Sequence, residues 1–223
     1  MGAMLTLTRG FCALDAALRR GEWQSQWAVS TPPPAPCPEL AGKTLGILGY
    51  GRIGQAVAQR AQAFDMAVWA MRREVRQPVA HALALLGGPD SLDDILQRAD
   101  YLAGTLSLTP ATRRLLRERE LRLLKGTAFL INVARAEIID EHALYRVLAE
   151  RAIAGAALDV WYQYPTGPGP TLPARCPFHE LTNVLMTPHV SGWTQGTLEA
   201  RAELIAQNIH RVARGESPAN LVA

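Results

Sequence analysis

Apolar residues recur along this chain in two alternating rhythms. Short unbroken runs have the length and aliphatic content of strands buried on both faces: "TLGIL" (44–48), "MAVWAM" (66–71), "ALALL" (82–86), one run within "DYLAGTLSL" (100–108), "TAFLIN" (127–132), "GAALDV" (155–160) and "NVLMT" (183–187). Between them the period lengthens to that of helices. One is alanine-rich and ends near Phe64, one is "SLDDILQRA", one runs from about Glu141 to Arg151, and a last one from about Thr194 to Arg214. Ser91 and Asp94 stand at capping-box spacing, and Thr109 before Pro110 suits the N-cap and first turn of a further helix. Residues 4–20 read as one amphipathic helix with Leu7, Phe11, Leu14 and Leu18 on its apolar face, and five prolines between positions 32 and 38 make an extended connector. Strands alternating with helices of this length predict an α/β fold with a doubly wound parallel sheet of the Rossmann type over residues 1–192.

The turn after the first run gives that sheet a chemistry. "ILGYGRIGQAVAQR" (47–60) spaces Gly49, Gly51 and Gly54 as G-x-G-x-x-G between a strand and a helix. Gly49 makes the tight turn, Gly51 lets a pyrophosphate approach the backbone, and Gly54 lets helix and strand pack closely. Arg52 and Ile53, inside the motif, are counted among the cofactor-contacting positions. An acid that would grip the ribose 2′-hydroxyl of NAD is expected at the end of the second strand, but the chain there reads "AVWAMRREVR". Arg72 takes that place, with Arg73 and Arg76 beside it. Guanidinium groups bind a 2′-phosphate where an acid repels it, so NADP(H) is the expected cofactor, with NAD(H) as the alternative if these arginines only form a solvated basic loop.

Several further stretches, in order, are similar to the D-isomer-specific 2-hydroxyacid dehydrogenase family: "LRRGEWQSQW", "LAGKTLGILGYGRIGQAVAQRAQAF", "LSLTPATRRLL", "LKGTAFLINVARAEIIDEHAL", "IAGAALDVW" and "NVLMTPHVSGWT". The resemblance implies hydride transfer between the dinucleotide and a small 2-oxo or 2-hydroxy acid such as glyoxylate or hydroxypyruvate. It assigns Arg135, in "NVARAE", to the substrate carboxylate and carbonyl, and His189, in "TPHVSGW", to the acid/base role. It assigns Asp159 to the nicotinamide carboxamide, and Thr105, Leu106, Ser107, Val133 and Gly192 to further cofactor contacts. A fixed guanidinium both orients a 2-oxo acid and stabilises oxyanion charge. His189 follows a strand end, where ligands of open α/β sheets collect, whereas His142 and His210 fall within helical patterns.

Two departures qualify the resemblance. The family places a catalytic glutamate before a proline in the segment after "LDV"; here Tyr164 precedes Pro165, with Tyr162 nearby and Glu180 as another substitute. A phenol orients an imidazole but lends it no charge, so 2-oxo acid reduction is expected to favour acid pH. The matches also begin near the helix that follows the first part of the family's substrate domain. Residues 193–223 correspond to a C-terminal helix and tail that pack towards that domain, so a truncated form, or a partner that supplies the wall of the cleft, is expected. The competing reading is a dinucleotide-binding module without turnover. The resemblance further implies a homodimer, in which the helix at 4–20, Trp23 and Trp27 either embrace a partner or cap the monomer's own core.

Composition narrows the classes. The net charge is +3, but arginine outnumbers lysine 21 to 2 and is interleaved with glutamate in stretches such as "TRRLLRERELRLL", a solvated helix face rather than a nucleic-acid surface. Cys12, Cys37 and Cys176 form no C-x-x-C pair, which argues against a metal site and for a reducing compartment. No apolar run approaches a membrane span, and Arg9 interrupts the apolar N-terminus, so a cytoplasmic protein without membrane or nucleic-acid partners is expected.

Overall fold

A computed structural model describes residues 1–23, 36–74 and 83–221. Trp27, Arg76, the first residue of the 82–86 run and most of the proline connector lie outside the described residues. The chain forms two compact units, Met1–Thr187 and Pro188–Ala223.

In the first unit all seven apolar runs are strands: β1 (Thr44–Leu48), β2 (Ala67–Met71), β3 (Leu85–Gly87), β4 (Tyr101–Gly104), β5 (Phe129–Asn132), β6 (Gly155–Leu158) and β7 (Val184–Met186). They build one parallel sheet in the order β3-β2-β1-β4-β5-β6-β7, so the winding reverses between β1 and β4. Side chains alternate across the sheet. Leu45, Ile47, Tyr101, Ala103 and Ile131 pack on one face with Met4 of α1 (Gly2–Arg9) and Ala58 and Ala61 of α3 (Arg52–Gln62). Leu48, Leu102, Leu130 and Leu158 pack on the other with α4 (Leu92–Arg98), α5 (Glu118–Leu121) and α6 (Glu141–Ala149). Both faces are covered, which is why the strands read as continuous apolar runs.

Three local expectations are corrected. The helix read over 4–20 is two, α1 and α2 (Phe11–Arg19), because Gly10 turns left-handed with φ of 62°. α1 buries Met4 and Thr8, and the Thr8 hydroxyl hydrogen-bonds the Met4 carbonyl at 2.6 Å and lies 2.7 Å from the Tyr101 hydroxyl. Phe11, Leu14 and Leu18 of α2 stay exposed. Ser91 does not cap α4. A 3-10 turn (Pro89–Ser91) precedes the helix, and the Ser91 side chain lies over Gly87, with Oγ 2.0 Å from where a Cβ would stand. After Thr109 the chain makes turns rather than a helix: the Thr109 N–H donates to Thr112 Oγ1 at 2.8 Å and the Thr112 hydroxyl to the Ser107 carbonyl at 2.7 Å.

The second unit holds α7 (Gln195–Ala213), capped by Thr194, whose hydroxyl oxygen accepts from the Thr197 N–H. Asn208 ties the tail back through two hydrogen bonds with the backbone of Ala219, at 2.8 and 3.2 Å.

Asp140 starts α6 in the same way. Its carboxylate accepts from the Ala143 N–H at 2.9 Å and pairs with Arg114. The Ala143 N–H and then the Arg114 guanidinium hold this carboxyl below the ordinary aspartate range, against the opposing effect of burial. A group depressed in the folded state stabilises above its unfolded pKa and loses that contribution as pH falls through the folded value. Asp140→Ala is therefore expected to cost about 1 kcal/mol near neutral pH. Urea unfolding of the two proteins should show that gap closing as pH is lowered below the carboxylate range.

Candidate active site

The residues singled out in the first unit all follow the C-terminal ends of strands, the edge at which open α/β sheets bind ligands. Gly49–Gly54 follow β1, Arg72 and Arg73 follow β2, Thr105–Ser107 follow β4, Val133–Arg135 follow β5, and Asp159 follows β6.

At the reversal between β1 and β4 the backbone is packed as closely as it can be. Gly49 has φ of 102°, and a Cβ there would lie 2.9 Å from the Leu106 nitrogen and the Thr105 carbonyl carbon. The Thr105 N–H donates to the Leu48 carbonyl at 2.9 Å and its hydroxyl to the Gly49 carbonyl at 2.7 Å. Thr105 and Leu106 are half-buried, and Ser107 is exposed. A Cβ on Gly54 would come within 2.4 Å of the Gly49 carbonyl oxygen, so only glycine lets α3 start this close to the strand. Gly51 differs: a Cβ there meets no described atom within 4 Å. It stands at the N-cap of α3 with extended backbone and no side chain to occupy the N–H groups of the first turn. Two glycines forced by packing and one left open over a helix start form a cradle that fits a pyrophosphate. Arg52 and Ile53 are exposed at the opening of the helix, Ile53 by 60%. Arg72 is half-buried, with its N–H bonded to the Gly87 carbonyl, and Arg73 is exposed.

The loop after β5 is shaped by a residue that the sequence reading passed over. Asn132, 3% exposed, accepts from the Ala134 N–H at 3.1 Å and donates to the Arg135 carbonyl at 3.1 Å. This brace sets the backbone of Arg135, whose Nη1 donates to the Ala134 carbonyl at 2.6 Å, while Val133 is half-buried beside it. An asparagine ending an apolar strand, three residues before a candidate arginine, was the available signal.

The segment after β6 keeps Asp159 buried at 4% exposure, with its carboxylate accepting from the Thr187 hydroxyl at 2.6 Å. Tyr164 is 47% exposed, and its hydroxyl accepts from the Trp161 N–H at 3.3 Å. Tyr162 is turned inward: it stacks on Phe178, donates to the Ile139 carbonyl at 3.0 Å, and burial drives its phenol far above the ordinary range, so it keeps its proton. Glu180 is an exposed residue of a 3-10 turn (Phe178–Glu180), 3.8 Å from the His179 imidazole. His142 is 3.3 Å from the Cys176 thiol, whose pKa is raised, chiefly by burial.

In the second unit His189 has φ of 58°, a left-handed conformation that a non-glycine residue seldom adopts. Gly192 follows three residues later, and a Cβ there would meet no described atom within 4 Å. Among the described residues no group of three or more His, Cys, Asp and Glu is placed to hold a metal, and no helix is long and apolar enough to cross a membrane.

A parallel sheet of this order with a glycine cradle at its reversal defines a dinucleotide-binding domain. Residues 1–191 match the family described as D-isomer specific 2-hydroxyacid dehydrogenase, NAD binding domain, and the chain belongs to that family. A glyoxylate reductase of Thermofilum pendens is 38% identical over 222 residues, which cover 100% of this chain and 62% of that protein. Among solved structures, a D-isomer specific 2-hydroxyacid dehydrogenase from Xanthobacter autotrophicus, in complex with NADPH and MES, is 29% identical with a TM-score of 0.77, covering 99% of this chain and 84% of that one. The NAD-complexed form of the Lactobacillus delbrueckii enzyme is 25% identical with a TM-score of 0.83, over 99% of this chain and 66% of that one. The chain spans 62%, 40% and 63% of the lengths of three relatives, less than two thirds of each.

Replacing Gly54 with alanine sets a methyl group against the Gly49 carbonyl and must push α3 away from the strand. Gly54→Ala is expected to weaken dinucleotide binding at least tenfold and to lower the melting temperature, while Gly51→Ala, which meets nothing in the protein itself and changes only the N-cap, lowers the melting temperature less. Ligand titration and thermal unfolding of both variants check this pair.

Proposed function

We propose that this chain binds NADP(H) in preference to NAD(H) at the C-terminal edge of its sheet, and acts in hydride transfer between that dinucleotide and a small 2-oxo or 2-hydroxy acid of the glyoxylate or hydroxypyruvate kind. The observation that carries the reading is the cradle formed where Gly49, Gly51 and Gly54 meet Thr105 and Leu106 at the sheet reversal. Arg72 and Arg73, at the end of β2 where an acid would select NAD, support the 2′-phosphate. Relatives named glyoxylate reductase support the substrate class.

When bound, the nicotinamide ring supplies or accepts the hydride. In this reading Thr105, Leu106, Ser107, Val133 and Gly192 would contact the cofactor, and the buried Asp159 carboxylate would accept from its carboxamide N–H. Arg135 pairs through its guanidinium fork with the substrate carboxylate and draws charge towards the carbonyl oxygen as it becomes an alkoxide. His189 gives its proton to that oxygen during reduction and takes it back in the reverse direction. Tyr164 stands at the position that the resemblance gives to the family's glutamate, and its hydroxyl oxygen accepts from the Trp161 N–H. The exposed apolar face of α2, with Phe11, Leu14 and Leu18, and the exposed Trp23 support a homodimer.

Fluorescence titration should show NADPH binding at least tenfold tighter than NADH. Arg72→Ala should erase most of that difference by weakening NADPH alone; an NADH preference in the wild-type chain would overturn the 2′-phosphate reading. Loss of NADPH absorbance with glyoxylate is expected to fall by at least two orders of magnitude in His189→Ala, with NADPH affinity kept. Binding of NADPH without any glyoxylate-dependent loss would mark a dinucleotide-binding module without turnover.

A further inference from the structure

The last two strands end side by side around one buried carboxylate, and the residue that holds it lies outside the set read from the sequence. Asp159 follows β6 and its N–H donates to the Asn132 carbonyl at 3.1 Å. Thr187 follows β7 and is fixed at three points. Its N–H donates to the Leu158 carbonyl at 3.0 Å, its carbonyl accepts the Trp161 indole N–H at 2.8 Å, and its hydroxyl donates to Asp159 Oδ1 at 2.6 Å. Trp161 is itself buried and packs edge-on to Phe178.

The Thr187 hydroxyl is the donor and the Asp159 carboxyl oxygen the acceptor. At this distance the bond belongs to the short, charge-assisted class. Rotation of a carboxylate about its last torsion is soft, and packing alone does not set it. A hydroxyl anchored by the sheet on one side and an indole on the other does.

We infer that Thr187 is a positioning residue: through its hydroxyl it fixes the rotation of the Asp159 carboxylate so that the carboxylate meets the carboxamide of a bound nicotinamide. The inference rests on the role given to Asp159 above. Preorganisation of this kind acts on affinity for the nicotinamide half of the ligand and leaves the adenosine half untouched.

The test compares NADPH with adenosine 2′,5′-bisphosphate, which carries the adenosine phosphates but no nicotinamide, on the wild-type chain, Thr187→Val and Thr187→Ser. Valine keeps the shape and removes the donor; serine restores it. Thr187→Val is expected to weaken NADPH about tenfold while binding the bisphosphate as the wild type does, and Thr187→Ser should recover most of the loss. Unchanged NADPH affinity in Thr187→Val, or an equal loss for both ligands, overturns the inference. A wild-type chain that binds NADPH no more tightly than the bisphosphate removes the role of Asp159 itself. That outcome is separate, because it appears before any substitution is made.

Discussion

The arrangement of this protein depends on one close approach of backbone to backbone. Where β1 ends, Gly49 passes so near Thr105 and Leu106 that no side chain fits between them. The Thr105 hydroxyl then closes the contact on the Gly49 carbonyl. That contact joins the two halves of the sheet at the point where its winding reverses. It also leaves the next glycine, Gly51, facing open space at the start of α3. Packing forces the geometry, and the geometry leaves a row of N–H donors available to an anion.

From that point the strand ends act as a set of fixed posts. Each loop carries its candidate group only a few residues beyond a strand, so these groups inherit the rigidity of the sheet. The side chains that set the loops are the buried Asn132 under Arg135 and the half-buried Thr187 against Asp159. Both bridge neighbouring backbone or side-chain groups that the sheet alone leaves free to turn. His189 differs in that its own backbone is left-handed, with φ of 58°.

The strands were legible in the sequence because sandwiching the sheet between helices makes every strand apolar on both faces. The cradle was legible because glycine is irreplaceable at Gly49 and Gly54 for steric reasons that fix its spacing. The misreadings have two causes: small polar side chains placed in ways that periodicity does not record, and one glycine that turns left-handed. Thr109 and Thr112 bond each other and make a turn where a helix start was read, and the Ser91 hydroxyl lies over Gly87 instead of capping α4. Gly10 sits inside a helical pattern and breaks it by turning left-handed. Thr187 and Asn132 were passed over because a threonine or asparagine at a strand end becomes significant only once its neighbour across the sheet is known.

The strand order also has a consequence for the order in which the molecule assembles. β1 pairs with β2 from Thr44 opposite Ala67, but with β4 from Leu45 opposite Tyr101, more than twice as far along the chain. Closing the longer loop costs more chain entropy before any contact repays it. The β1–β2 pairing is therefore favoured to form ahead of the reversal, and the crevice beside Gly49 exists only once β4 has docked on the other side of β1. A ligand that grips both Gly51 and Thr105 selects chains in which that slow, long-range pairing is complete.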